Sequence, residues 1–195
     1  MKVTVFTDYA CPFCYIGHKT LEQLAKKAND DLKIEYVFME IHPEIPEEGC
    51  DTMKIISGTL DGFNAHIKKV GVECGLEPKL SEHISNSRKA IILRAFMSSC
   101  YPERVAEFDE QVYSAYLIDN KDIGKVEVLA EIFEKMGITE TVDQALGHTM
   151  ANIKFEMDRS KAQTHYIYEI PTFVAGGKSI CGAVTKADLK AFLGI

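Results

Sequence analysis

The sequence predicts an α/β fold in which a β-α-β unit and a β-β-α unit are separated along the chain by a large all-helical insertion. Three observations carry that expectation: a strand–helix–strand pattern in the first stretch of chain, little strand character between residues 51 and 163, and its return at Thr172-Phe173-Val174-Ala175. With 195 residues, 46% of them hydrophobic, the chain is long enough to bury one good core, or one core carrying an insertion.

Val3, Val5 and Phe6 make a short β-rich run that ends in Thr7-Asp8-Tyr9-Ala10. Pro12 then sits just inside a helical pattern, where its missing N–H costs nothing. Ile16, Leu21, Leu24, Ala25 and Ala28 recur at helical spacing, so a helix is predicted over 12–28, with Asn29-Asp30-Asp31 as the turn after it. Residues 32–39 read as a second strand, and a strand–helix–strand order favours a parallel pair with a right-handed crossover. The stretch 42–49 contains Pro43, Pro46 and Gly49 among charged residues and reads as a connector. Helix-period segments follow around 63–70, 88–99, 104–116 and 125–135, and from 141 onward. The expected organisation is therefore an α/β domain from 1–45 and 165–195, with a helical insertion subdomain at 46–164. Pro171 opens the third strand, Gly176-Gly177 suits a two-residue hairpin turn, and Thr185 with Asp188 three residues on marks the start of a closing helix.

Composition narrows the partners. The net charge is −7, and no long run of Lys and Arg offers a phosphate-neutralising footprint, so neither nucleic acid nor an anionic membrane is expected. No apolar stretch approaches the ~18 residues needed to span a bilayer. The chain opens directly into strand-like sequence without the pattern of a secretory leader, and its size argues against a disulfide-stapled scaffold, so a cytoplasmic, reducing setting is expected. Cys50, Cys74, Cys100 and Cys181 are scattered singly and read as small apolar residues, although Cys181 falls on a strand soon after Pro171.

Cys11 and Cys14 alone have motif spacing. A thiol at the first turn of a helix is favoured as thiolate by exposed N–H groups and the helix dipole, and two intervening residues let a second thiol resolve a mixed disulfide made by the first. Cys11 is expected as the exposed attacking thiol and Cys14 as the buried resolving one. The rival reading is half of a zinc site completed by His18 and Cys181, but no second Cys-x-x-Cys or close histidine pair exists, and no metal is expected. His18, one turn after Cys14, reads as a polar residue on the helix surface, with tuning of the thiol pair as the alternative. For Pro171, base rates favour a trans bond.

Asp8-Tyr9-Ala10-Cys11-Pro12-Phe13-Cys14-Tyr15-Ile16-Gly17, taken with Glu169-Ile170-Pro171-Thr172-Phe173-Val174, resembles the DsbA-like thioredoxin superfamily, and within it the FrnE branch. The likeness extends to the Pro43-Glu44-Ile45-Pro46 connector and, more loosely, to 86–96 and 108–129. It implies a thioredoxin-like fold and a protein-disulfide oxidoreductase exchanging disulfides with protein or small-molecule thiols. No cofactor beyond the redox disulfide is implied, and glutathione is a candidate co-substrate. It also implies that Pro171 is cis, that the backbone of Ile170 pairs with an incoming peptide or glutathione, that Pro12, Phe13 and Tyr15 belong to the substrate surface, and that Asn86 faces the site. Kappa-class glutathione transferases and 2-hydroxychromene-2-carboxylate isomerases of the same superfamily use serine in place of Cys11 and lack the resolving cysteine. A glutathione-dependent isomerase or transferase is thus one alternative, and a redox-sensing thioredoxin-fold binding module another. Secreted DsbA proteins have Pro-His between the cysteines, so Phe13 removes an imidazole that stabilises the thiolate and implies a less oxidising pair.

Overall fold

The alternating run Val3, Val5, Phe6 folds as β1 (Lys2–Thr7), α1 (Pro12–Lys27) follows, and β2 (Lys33–Phe38) returns parallel to β1, with Lys2 opposite Lys33. The computed structural model describes residues 1–27 and 32–195, so Ala28 and the turn expected at Asn29-Asp30-Asp31 lie outside the described residues. The chain continues through β3 (Cys50–Asp51), α2 (Leu60–Gly71), β4 (His83–Ile84), α3 (Arg88–Cys100), α4 (Val105–Leu117), α5 (Val126–Met136), α6 (Val142–Leu146) and α7 (Thr149–Thr164). It closes with β5 (Thr172–Ala175), β6 (Lys178–Cys181) and α8 (Lys186–Leu193). The main sheet has the order β2-β1-β5-β6, with β5 antiparallel to β1 and β6 antiparallel to β5.

Two details differ from the sequence expectation. The region between residues 51 and 163 holds a short ladder, Cys50 opposite Ile84 and Asp51 opposite His83, too brief to leave a periodic signal. The helix expected from 141 onward is two helices, each with its own cap: Thr141 and Gln144 form a capping box on α6, and the His148 side chain accepts from the Ala151 N–H at the start of α7. The capping box expected at Thr185 and Asp188 is present on α8. Gly176 and Gly177 both take positive φ, as the tight turn between β5 and β6 requires.

The period of two in β1 sorts its side chains onto two faces. Val3 and Val5 pack with Leu21 and Leu24 of α1, Phe173 of β5 and Leu189 and Leu193 of α8. Phe6 faces the other way, toward Val37 and Ala162 of α7. Gly17 lets α1 approach β5 closely, because a methyl group there would stand 2.9 Å from Cζ of Phe173. Beyond the carboxyl ends of β1 and β2 lies the largest apolar cluster, in which Tyr9, Cys14, Tyr15 and Phe38 merge with side chains of α3, α4 and α5 such as Leu93, Phe108 and Phe133. No helix among the described residues is long and apolar enough to cross a membrane.

Candidate active site

Cys11 directly precedes α1, at the end of the turn that leaves β1. Its N–H donates to the Asp8 carbonyl at 3.3 Å, and its own carbonyl accepts from the N–H groups of Cys14 (3.1 Å) and Tyr15 (3.4 Å), so the first helical bonds close on the cysteine itself. Cys11 is partly exposed, whereas Cys14 is fully buried. Burial pushes the Cys14 thiol well above its ordinary pKa, and the neighbouring Cys11 sulfur pushes it further, while the Thr7 hydroxyl and the Asp8 backbone act in the opposite direction. The Thr7 hydroxyl is shared with the Tyr113 hydroxyl at 3.0 Å, and Tyr113 also donates to the Asp8 carbonyl at 3.3 Å.

Across from the pair, the Ile170–Pro171 peptide bond is cis, as the resemblance implied and unlike the trans bond that base rates favour. The Cys11 sulfur lies 3.9 Å from the Ile170 carbonyl oxygen, and the Pro171 carbonyl accepts from the Gly182 N–H at 2.9 Å, tying this loop to the end of β6. Cys11, Pro12, Phe13 and Ile170 line one cleft of about 340 Å³, whose far wall is supplied by Ile55, Ile56, Phe63, Leu80 and Ile84 from the helical segment. Phe13 meets Phe63 edge-on at 5.7 Å and lies 5.3 Å from the His66 ring. The cleft is therefore mostly apolar, with Cys11 in its lining.

Two residues expected at the substrate surface stand elsewhere. Tyr15 is buried, its ring stacked 4.9 Å from that of Tyr113 and its hydroxyl donating to Glu110 at 2.9 Å, because α1 is covered on this side as well by α4. Asn86 braces the chain after β2, its amide donating to the Ile45 carbonyl at 2.7 Å and its oxygen accepting from the Arg88 N–H at 3.0 Å, and it borders a separate depression with Arg88 and Lys89. His18 departs from the surface reading too. It is 4% exposed, stacked 3.9 Å from Tyr36, and its Nε2 has no partner; burial, then Arg94 and Lys19, hold it well below the ordinary histidine pKa.

Among the remaining cysteines, Cys74 shares a 2.9 Å contact with the Thr20 hydroxyl, and Cys100 lies 3.9 Å from Nε2 of His148. Cys181 donates to Glu169 at 3.0 Å, and this carboxylate raises its pKa. Among the described residues, no group of three or more His, Cys, Asp or Glu side chains is placed to hold a metal ion.

Sequence reasoning passed over the polar groups behind the pair. Asp8 is buried, and burial pushes its carboxyl up against the opposing pull of Ser87 and the N–H groups of Ile41 and Ala10. Further in, Arg94 donates to both oxygens of Asp109 at 2.9 and 3.2 Å, Tyr9 donates to the same carboxylate at 2.5 Å, and the guanidinium lies 4.2 Å over the Phe38 ring. An arginine inside the apolar run of α3 is the one local signal that such a pair exists, since it must find a buried partner.

A sheet of order β2-β1-β5-β6, a Cys-x-x-Cys at a strand-to-helix junction and a cis proline facing it define a thioredoxin-like fold carrying a thiol pair. The chain belongs to the DsbA-like thioredoxin family, whose model matches residues 2–194. YwbO, an uncharacterised protein of Bacillus subtilis (strain 168), is 24% identical over 195 residues, covering 95% of this chain and 92% of its own. A structure described as a probable DsbA oxidoreductase from Streptomyces coelicolor superposes with a TM-score of 0.82 at 17% identity, covering 99% of this chain and 88% of its own. A 2-hydroxychromene-2-carboxylate isomerase gives a TM-score of 0.76 at 17% identity, covering 100% and 95%. The cytosolic disulfide reductase DsbM of Pseudomonas aeruginosa, solved with GSH, gives 0.63 at 14%, covering 100% and 98%. These structural likenesses are likenesses of fold.

Proposed function

We propose that this protein is a thiol–disulfide oxidoreductase that exchanges disulfides through Cys11 and Cys14. The observation that carries the reading is the asymmetry of the pair: one sulfur opens on an apolar cleft beside a cis proline, and the other is buried next to it. Cys11 attacks the substrate disulfide, and Cys14, held as a thiol by burial until the mixed disulfide forms, displaces the substrate. Pro12 and Phe13 contribute the near wall of the cleft, and the backbone of Ile170 serves as the docking edge for an extended substrate. The helical insertion, residues 46–164, lends the far wall, and we assign it the choice of partner.

Substrates in this reading are thiol- or disulfide-containing proteins or small molecules. Glutathione is retained among them on the strength of the DsbM neighbour solved with GSH, and that cytosolic protein also supports a cytoplasmic setting. The isomerase neighbour keeps a glutathione-dependent isomerase as the second reading, and Cys14 separates the two. Cys11→Ser is expected to abolish disulfide exchange with insulin or glutathione disulfide, and Cys14→Ser to accumulate mixed disulfides that are visible by intact mass. Wild-type exchange rates in Cys11→Ser would falsify the mechanism, and glutathione-dependent turnover surviving Cys14→Ser would favour the isomerase.

A further inference from the structure

Asp8 stands where three segments of chain meet. Its Oδ1 accepts from the Ala10 N–H at 3.1 Å, in the turn that delivers Cys11, and its Oδ2 accepts from the Ile41 N–H at 2.9 Å, in the segment leaving β2. Ser87, which immediately precedes α3, acts to lower the pKa of the same carboxyl, and α3 begins with no side-chain cap bond of its own. A serine at that position ordinarily caps its helix. Ala10 and Ile41 both line the Cys11 cleft, and the Asp8 carbonyl also accepts from the Cys11 N–H.

A carboxylate that is 1% exposed is a costly way to close a turn, since a serine or asparagine would accept from Ala10 equally well. What neither offers is two equivalent acceptor oxygens diverging toward two N–H donors. We propose that Asp8 is a positioning residue of the exchange reaction: by accepting from Ala10 and Ile41 at once, it fixes the spacing of two cleft segments against which a substrate chain docks. The inference rests on the reading of Cys11 and Cys14 as the exchanging pair.

Asp8→Asn keeps the size of the side chain and one acceptor, but turns an amide N–H toward one of the two donors. KM and kcat are to be measured, with dithiothreitol as final reductant, for a decapeptide whose single cysteine is disulfide-linked to thionitrobenzoate. The same measurement is made for bis(2-hydroxyethyl) disulfide, which has no chain to dock. Both reactions balance in the same way: Cys11 thiolate takes one half of the disulfide, the other half leaves as thiol, Cys14 releases the first half, and dithiothreitol reduces the Cys11–Cys14 disulfide. Loss of one of the two bonds is expected to raise KM for the peptide about tenfold, with kcat changed less than threefold and a smaller effect on the small disulfide. Asp8→Ser, which accepts from Ala10 but is too short to reach Ile41, gives the same KM rise if the asparagine variant does not fold. Thr141→Ala, which weakens the α6 cap away from the cleft, is the stability control and keeps the wild-type KM. An unchanged peptide KM in the Asp8 variants, or an equal loss with both disulfides, overturns the positioning role. Wild-type protein inert toward both disulfides would instead overturn the exchange reading itself.

Discussion

Between the sheet and helices α1 and α8, the interior is an apolar cluster in which Val3, Val5, Leu21, Leu24, Phe173 and Leu189 pack together. Under Cys14, between α1, α3 and α4, the interior instead holds Arg94, Asp109, His18 and the hydroxyls of Tyr9 and Tyr113 among aromatic rings. Both regions are buried, but only the first follows the rule that burial alone stabilises. A buried ion pair seldom stabilises more than the apolar side chains that would fill the same space, yet breaking it exposes the full cost of an unpaired charge. The polar interior is thus a poor source of stability and a strong constraint on position, and it lies beneath the Cys11–Cys14 pair.

The largest test of this contrast is Arg94→Ala, which strands Asp109 and is expected to cost about 3–5 kcal/mol in urea denaturation. The paired replacement Arg94→Met with Asp109→Leu should recover most of that loss. A cost below about 1 kcal/mol for the single change would erase the distinction between the regions. Next, Leu21→Ala in the apolar region should cost about 3 kcal/mol through the cavity it leaves, with the exchange rate of the folded protein unchanged. Smallest is Glu35→Gln, on the face of the sheet that α7 covers. Glu35 bonds to Lys161 at 2.6 Å and Lys2 at 2.9 Å, and these lysines bring its pKa down to about 2. A depressed carboxylate stabilises the fold above its unfolded pKa and ceases to do so as pH falls toward the folded one. The expected cost is therefore below about 1 kcal/mol at neutral pH, given the solvent exposure of the group, and vanishes near pH 2 when thermal melts of the two proteins are compared.

What the sequence disclosed was what is written locally. Pro12 after Cys11, the alternation of β1, the Gly176-Gly177 turn and the Thr185 cap each depend on residues within one turn of one another, and each stands where it was expected. His18 was misplaced because a helix is read as having a wet side, whereas the start of α1 is enclosed by α4 and by Tyr36 and Phe38 of β2; the same enclosure buries Tyr15, which the resemblance had put on the substrate surface. The far wall of the cleft was equally invisible, since Ile55, Phe63 and Ile84 come to Cys11 only through long-range packing. Asp8 was in plain view within the motif, but its second partner, Ile41, lies 33 residues away.

The apolar cluster that runs from Cys14 and Tyr15 into α3, α4 and α5 leaves no seam along which the helical segment could be cut away. An ancestor or an engineer wishing to trim this chain to its sheet and two helices would strip one whole side of the helix that bears the cysteines. Reducing the chain to a smaller thioredoxin would therefore mean redesigning the surface of α1 that packs around Cys14.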